Sequence, residues 1–180
     1  MLYTYSELLN IEKTRYNIEK KVLNKELYKV DKNIYSDKEV VDPILIYAKK
    51  YPSAIITLDN AYYYYGLTDV IPSKYYFATK HKAKQITNNK IDQVFTTDKL
   101  LEIGKTKVLI DGVSVNMYDK ERLLIELVRR KKSLPLDYYK EIINNYSVIV
   151  YELSMKKIEE YASHFSIEEH ILDAISMEVL

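Results

Sequence analysis

Between Lys13 and Asn24 the chain sets basic, amide and phenolic side chains at spacings that suit contact with a nucleic acid. Read as a helix from about Thr14 to Asn24, the stretch puts Lys13, Tyr16, Asn17, Lys20 and Asn24 on one side and Ile11, Ile18 and Val22 on the other. Ammonium groups neutralise phosphates, and amide or phenol groups can hydrogen-bond base edges, so such a face fits a DNA major groove. Residues 1–34 hold seven basic side chains (Lys13, Arg15, Lys20, Lys21, Lys25, Lys29, Lys32) against five acidic ones (Glu7, Glu12, Glu19, Glu26, Asp31). That excess is thin. The formal net charge of +1 for the whole chain adds nothing to it, because phosphate binding depends on a local basic face rather than a total. A polar helix face of this kind also serves small protein-interaction modules, so both readings stand at this point.

Other chemistries have weaker residue sets. Zero cysteines exclude disulfides, thiolate metal sites and cysteine nucleophiles, and three glycines are too few for a Gly-rich phosphate loop. His81, His164 and His170 lack the spacing of a helical zinc pair, so no metal or cofactor site is expected. Asp92, Glu102 and Lys105 are the residue types of a Mg²⁺-dependent nuclease. On one strand, however, Glu102 and Lys105 would point to opposite faces, and we read no site there. The basic runs Lys80-His81-Lys82-Ala83-Lys84 and Arg129-Arg130-Lys131-Lys132 read as a solvated loop and a helix end favoured by its dipole. No apolar run is long enough for a membrane span, and the first residues lack the basic and apolar regions of a secretory signal, so a cytoplasmic protein is expected.

The elements that would hold the polar face are readable. Thr4 and Glu7 form a capping box for a helix through Leu9, Asn10 to Lys13 read as a turn, and the second helix follows. Leu27, Lys29 and Asp31 then alternate with Tyr28 and Val30, with Asp31 to Asn33 available for a hairpin turn. Helix, turn, helix and hairpin outline a winged helix-turn-helix over residues 1–37, without the helix that usually precedes the pair. Residues 38–50 read as a linker with a short apolar helix after Pro43, and 51–180 as a second domain.

In that domain Leu58, Ala61, Tyr62 and Tyr65 recur on one face of a helix opened by Thr57 and stopped by Gly66, with three or four tyrosine rings expected in the core. Lys74 to Thr79 and Ile91 to Thr96 read as strands, and Asp111-Gly112 between β-branched runs reads as a hairpin. Asp119 caps a helix over Lys120–Lys131 with Leu123, Leu124, Leu127 and Val128 inward and Arg122, Glu126 and Arg130 spaced for ion pairs. Leu136, Tyr139, Ile143 and Tyr146 mark another helix. Leu153 to Ser163 gives one more, and a Ser166–Glu169 capping box opens the last, with Ile167, Ile171 and Ile175 as its stripe. The fold class is therefore α+β: a winged helix-turn-helix followed by a mixed α/β domain with a helical C-terminal tail.

Several of these segments together resemble the AbiEi antitoxin family of type IV toxin-antitoxin and abortive-infection phage-defence systems. They are Glu26-Leu27-Tyr28-Lys29-Val30 with Ile34-Tyr35, Asn60-Ala61-Tyr62-Tyr63-Tyr64-Tyr65-Gly66-Leu67 followed by Thr68-Asp69 and Ile71-Pro72, Met117-Tyr118-Asp119-Lys120-Glu121-Arg122-Leu123-Leu124, and Met177-Glu178-Val179-Leu180. Tyr65 stands where the family usually has histidine and Leu123 where it has threonine. Lys25 and Asn33 stand where glycines are common around the wing. The resemblance implies no enzymatic activity. It implies a transcriptional autorepressor that binds inverted repeats in promoter DNA, where a homodimer can form, and whose C-terminal domain counters a nucleotidyltransferase toxin without a stable complex being required. On that reading Lys13, Arg15, Tyr16, Asn17, Lys20 and Lys21 contact DNA, with Lys29, Lys32 and Asn33 on the wing. A protein-interaction module that binds no DNA is one alternative, and a metal-dependent enzyme using Asp92 or Glu102 is another.

Overall fold

A computed structural model describes residues 1–180 as an α+β chain of two units. The first comprises 1–54 together with 107–116, and the second 55–106 with 117–180. No helix is long and apolar enough to cross a membrane.

In the first unit β1 (Leu2–Thr4) leads into α1 (Tyr5–Glu12) and α2 (Arg15–Leu23), followed by β2 (Tyr28–Asp31), β3 (Ile34–Ser36) and α3 (Pro43–Lys50). The three strands form an antiparallel sheet in the order β1-β3-β2, with Thr4 opposite Ile34, Tyr28 opposite Ser36 and an irregularity between Lys29 and Asp31. Thr4 caps α1 as its sequence implies, accepting the Glu7 N–H at 3.2 Å while its own N–H donates to Glu7 Oε2 at 2.6 Å. The expected turn at Asn10 to Lys13 is shorter than its residues suggested. α1 continues through Glu12, and Lys13 alone reverses the chain at φ 68°, its N–H closing on Leu9 O at 3.0 Å. Ile11 is therefore 58% exposed rather than sharing a face with Ile18. Leu8, Ile18 and Leu27 make the core, with Tyr5, Val22 and Tyr35 against it. Pro43 at the start of α3 suits a position whose N–H would be unbonded, and Asp42 caps the helix at Ile44 N–H. Ile44 and Leu45 then bury completely beside β1 and β3.

The second unit is built around a strand that the sequence reading lacks. β4 (Ile55–Ile56) is two fully buried residues at the centre of a five-stranded sheet of order β6-β5-β4-β8-β7. β5 (Tyr75–Lys80) and β6 (Ile91–Thr96) match their expected positions, and β7 (Lys105–Ile110) turns at Asp111-Gly112, φ 49° and 80°, into β8 (Val113–Tyr118). Most of that hairpin, residues 107–116, groups with the first unit. Helix α4 (Leu58–Tyr64) ends with Leu67 N–H on Tyr62 O at 2.9 Å and Gly66 N–H on Tyr63 O at 3.0 Å, with Gly66 at φ 67°, a left-handed cap. Its start departs from expectation: Leu58 takes φ 49° and the Thr57 hydroxyl makes no cap bond. Of the four consecutive tyrosines only Tyr62 is fully buried, because a helix turns Tyr63 outward and leaves Tyr64 and Tyr65 at the margin.

Short α5 (Asp98–Glu102) precedes β7, and α6 (Lys120–Arg130), α7 (Leu136–Val148), α8 (Met155–Ala162) and α9 (Glu168–Glu178) complete the chain. Asp119 caps α6 through Arg122 N–H at 2.9 Å. The ion pairs of α6 differ from those read off the spacing. Glu126 bonds Arg122 at 2.7 Å and Arg129 at 3.0 Å, not Arg130, and Arg122 is only 1% exposed. The Phe165 ring covers both guanidiniums, at 4.8 Å from Arg122 and 4.4 Å from Arg129. The capping box at Ser166 does not form; Ile167 occupies the cap position of α9 without a side-chain bond and is 44% exposed, while Ile171 and Ile175 are buried.

Candidate nucleic-acid interface

Capping fixes where α2 lies and packing fixes how it is turned. Thr14 accepts the Asn17 N–H at 3.2 Å, and the Asn17 amide donates to Glu12 O at 2.8 Å, tying the start of α2 to the end of α1. Ile18 points into the core with Leu8 and Leu27. The 3.6-residue period then carries Tyr16 (71% exposed), Lys20 and Leu23 (82% exposed) outward along one stripe.

Two clefts flank this stripe. The larger, about 430 Å³, opens between α2 and the β2–β3 hairpin. Arg15 and Glu19 line it from the helix, Lys29 and Asn33 from the hairpin, and Tyr5 and Tyr35 close its apolar side with ring centroids 6.3 Å apart. The second, about 280 Å³, is lined by Asn17, Lys20, Lys21 and Asn24 with Glu12 and Glu26. Of the DNA-contact residues expected from sequence, Arg15, Lys29 and Asn33 line the first cleft, Asn17, Lys20 and Lys21 line the second, and Tyr16 lines neither. Lys13 sits at the α1–α2 turn with Nζ on Asn10 O at 2.8 Å, and Lys32 is exposed at the hairpin turn beside Asn33.

The charges in this region pair selectively. Glu7 binds Lys49 at 2.8 Å, Glu12 binds Lys21 at 2.6 Å, Glu19 binds Arg15 at 2.7 Å and Asp31 binds Lys50 at 2.6 Å. The remaining carboxylate of the segment, Glu26, accepts the Asn24 amide at 3.1 Å. Lys20, Lys25, Lys29 and Lys32 are exposed and form no ion pair, and neither does Lys13. A thin excess in composition thereby becomes five unpaired ammonium groups around α2 and the hairpin against one carboxylate without a cationic partner, Glu26. The Lys50 ammonium holds the Asp31 carboxyl below its usual value, and burial pushes Glu7 up while Lys49 and the Thr4 N–H bring it below. Hydrogen bonding to Glu19 raises Arg15, and bonding to Glu12 raises Lys21.

Sequence reasoning did not include Glu19, Tyr5 and Tyr35 in the interface, nor Lys49 and Lys50 as the partners of Glu7 and Asp31. The Arg15–Glu19 pair was available from its i,i+4 spacing. The two α3 lysines were not, because partners 42 and 19 residues away leave no local pattern.

In the second unit, Asp92 pairs with Lys74 at 3.0 Å. Glu102 ends α5 and Lys105 opens β7, so they do not share a strand as assumed above, and they bond each other at 2.9 Å. No three His, Cys, Asp or Glu side chains are grouped so as to hold a metal ion. No protein-family model matches the chain, and no curated protein matches it in sequence.

Proposed function

We propose that the chain is an AbiEi-like antitoxin and transcriptional autorepressor, with residues 1–37 acting as a winged helix-turn-helix on promoter DNA and the rest of the chain countering a nucleotidyltransferase toxin. The observation that carries the DNA-binding part is the charge pattern. Four of the five carboxylates near α2 are ion-paired within the unit, two of them by α3 lysines, so Lys13, Lys20, Lys25, Lys29 and Lys32 stand against Glu26 alone and are left for phosphates. Two further features support it. The order strand, helix, helix, hairpin, with β1 paired to β3, is compatible with a winged helix. Lys25 (φ 58°) and Asn33 (φ 62°), the positions where the resembled family commonly carries glycine, both adopt the left-handed conformation that favours glycine.

The test of the DNA-binding part is a salt titration of binding to the DNA upstream of the protein's own coding sequence against a scrambled duplex. Selective binding that weakens steeply with salt is expected, since each neutralised phosphate contributes a slope of about −0.9. Equal, negligible affinity for both duplexes overturns repression. The outward Tyr16 and Leu23 favour the second reading, a protein-interaction surface, in that event. Antitoxin action is tested by growth rescue when the chain is co-expressed with a nucleotidyltransferase encoded beside it. Failure to rescue removes that part of the proposal.

A further inference from the structure

We propose that the cleft between α2 and the hairpin is a seat for a DNA phosphate diester and that Glu19 stands in for that phosphate in the free protein, limiting affinity for DNA. The inference rests on the DNA-binding reading and assigns to Glu19 a role opposite to that of its neighbours. Three residues with groups suited to an anion line the cleft: Arg15, Lys29 and, at the hairpin turn, Asn33. Glu19 is the single carboxylate among the residues lining it, and its Oε1 accepts from Arg15 Nε at 2.7 Å. Lys29 has no carboxylate partner, so the cleft is lined by one ion-paired cationic residue and one unpaired one.

The pair is built to open. Both side chains are largely solvent-exposed, at 78% for Arg15 and 60% for Glu19, so water screens their attraction and the geometry is weakly held. A guanidinium offers five donors in a planar fork that matches two oxygens of a phosphate at least as well as two of a carboxylate. An incoming phosphodiester can therefore displace Glu19 from Arg15 while also meeting Lys29. Glu19 is left beside a like charge, and that repulsion holds affinity below what the cations alone would give. Nothing else in the unit requires the carboxylate: it makes no bond to the core and caps no helix. A repressor that must leave its operator gains from such a residue, because affinity set too high would slow release.

The full-length protein, Glu19→Gln, Arg15→Ala and the double variant would be titrated with the upstream duplex and with a scrambled duplex between 50 and 200 mM salt, after thermal melts show that all four are folded. Glu19→Gln is expected to bind both duplexes about two- to fivefold more tightly at the lower salt, as removal of one exposed repulsion allows, and with a steeper salt slope by up to about one unit. That gain should vanish in the Arg15→Ala background. No binding of any duplex by the wild-type protein overturns the DNA-binding reading, and this inference with it. Binding by the wild type with unchanged or weaker affinity in Glu19→Gln overturns the role of Glu19 and leaves DNA binding standing. A gain that persists without Arg15 overturns the shared seat, since it would show a diffuse charge effect only.

Discussion

Gly104 and Arg122 approach so closely that a Cβ on the glycine would lie 2.3 Å from the Cβ of the arginine. The same added carbon would stand 3.0 Å from Asp119 Oδ1, the oxygen that caps α6, and Gly104 O already accepts the Asp119 N–H at 2.7 Å. The backbone there has φ 74°, so glycine answers both a steric and a conformational demand.

Gly104→Ala is accordingly expected to be among the most destabilising single substitutions, by more than about 3 kcal/mol, since backbone strain and an unavoidable clash add. Urea unfolding of the variant against the wild type measures it. A loss under about 1 kcal/mol would mean that α6 can shift away from the turn at no great cost.

A second expectation concerns the ion triad on α6. Replacing Glu126 with Ala would leave Arg122, with its Nε and Nη1 already unpartnered, and Arg129 without their shared carboxylate beneath Phe165. Breaking a buried pair from one side costs about 3–5 kcal/mol. Glu126→Gln, which keeps an acceptor oxygen for one arginine, should lose less in the same denaturation experiment. Equal losses for the two variants would show that the retained amide oxygen contributes nothing and that the lost negative charge accounts for the whole effect.

The Asp31–Lys50 pair gives a pH dependence whose sign follows from two shifts. Asp31 is held below its usual 3.8, so its stabilisation is complete above that value and is lost as pH falls through it towards the folded pKa. Lys50 is held above 10.5, so its share is complete below that value and is lost as pH rises through the folded pKa. Stability from the pair should be flat between these limits and worth up to about 1 kcal/mol, in keeping with its partial exposure. Asp31→Asn should reduce the acid-side loss in melts taken from pH 6 to pH 3. A slope identical to the wild type's would remove the pair from the acid response.

Lys20→Ala should weaken binding equally on the upstream and scrambled duplexes and flatten the salt slope by about 0.9. Its side chain forms no ion pair on the outward stripe of α2, so fold stability should not change by more than about 0.5 kcal/mol. An unaltered slope would take Lys20 off the phosphate backbone.

Local chemistry was legible in this sequence wherever one residue's backbone neighbour answered it. The Thr4–Glu7 box, the Asp119 cap, the Asp111-Gly112 turn and the left-handed Gly66 all depend on partners within five residues, and all occur. β4 escaped because two isoleucines carry no periodicity. Ser166 failed as a cap although its spacing to Glu169 was correct, since α9 starts from Ile167 instead. Arg122 misled in another way: the i,i+4 spacing to Glu126 was right, but spacing is silent on whether a pair faces water or Phe165. In the candidate interface the outward set Tyr16 and Lys20 could be read from period alone. The discharge of Glu7 and Asp31 by α3 required tertiary structure, and it is that discharge which sets the local charge balance.

The grouping of residues 107–116 with residues 1–54 has a consequence for the order in which the molecule can be made. The Asn116 amide donates to Pro52 O at 2.8 Å, and Val113 to Asn116 line a small cleft with Ala48, Lys49 and Pro52, so the first unit borrows a hairpin that a ribosome synthesises only after another 52 residues. During synthesis residues 1–54 must wait, incomplete, while the opening half of the second unit emerges. A gene fragment ending at residue 54 would encode a surface that the intact protein keeps covered, and exchange of the first unit between relatives would have to carry two separate pieces of coding sequence together.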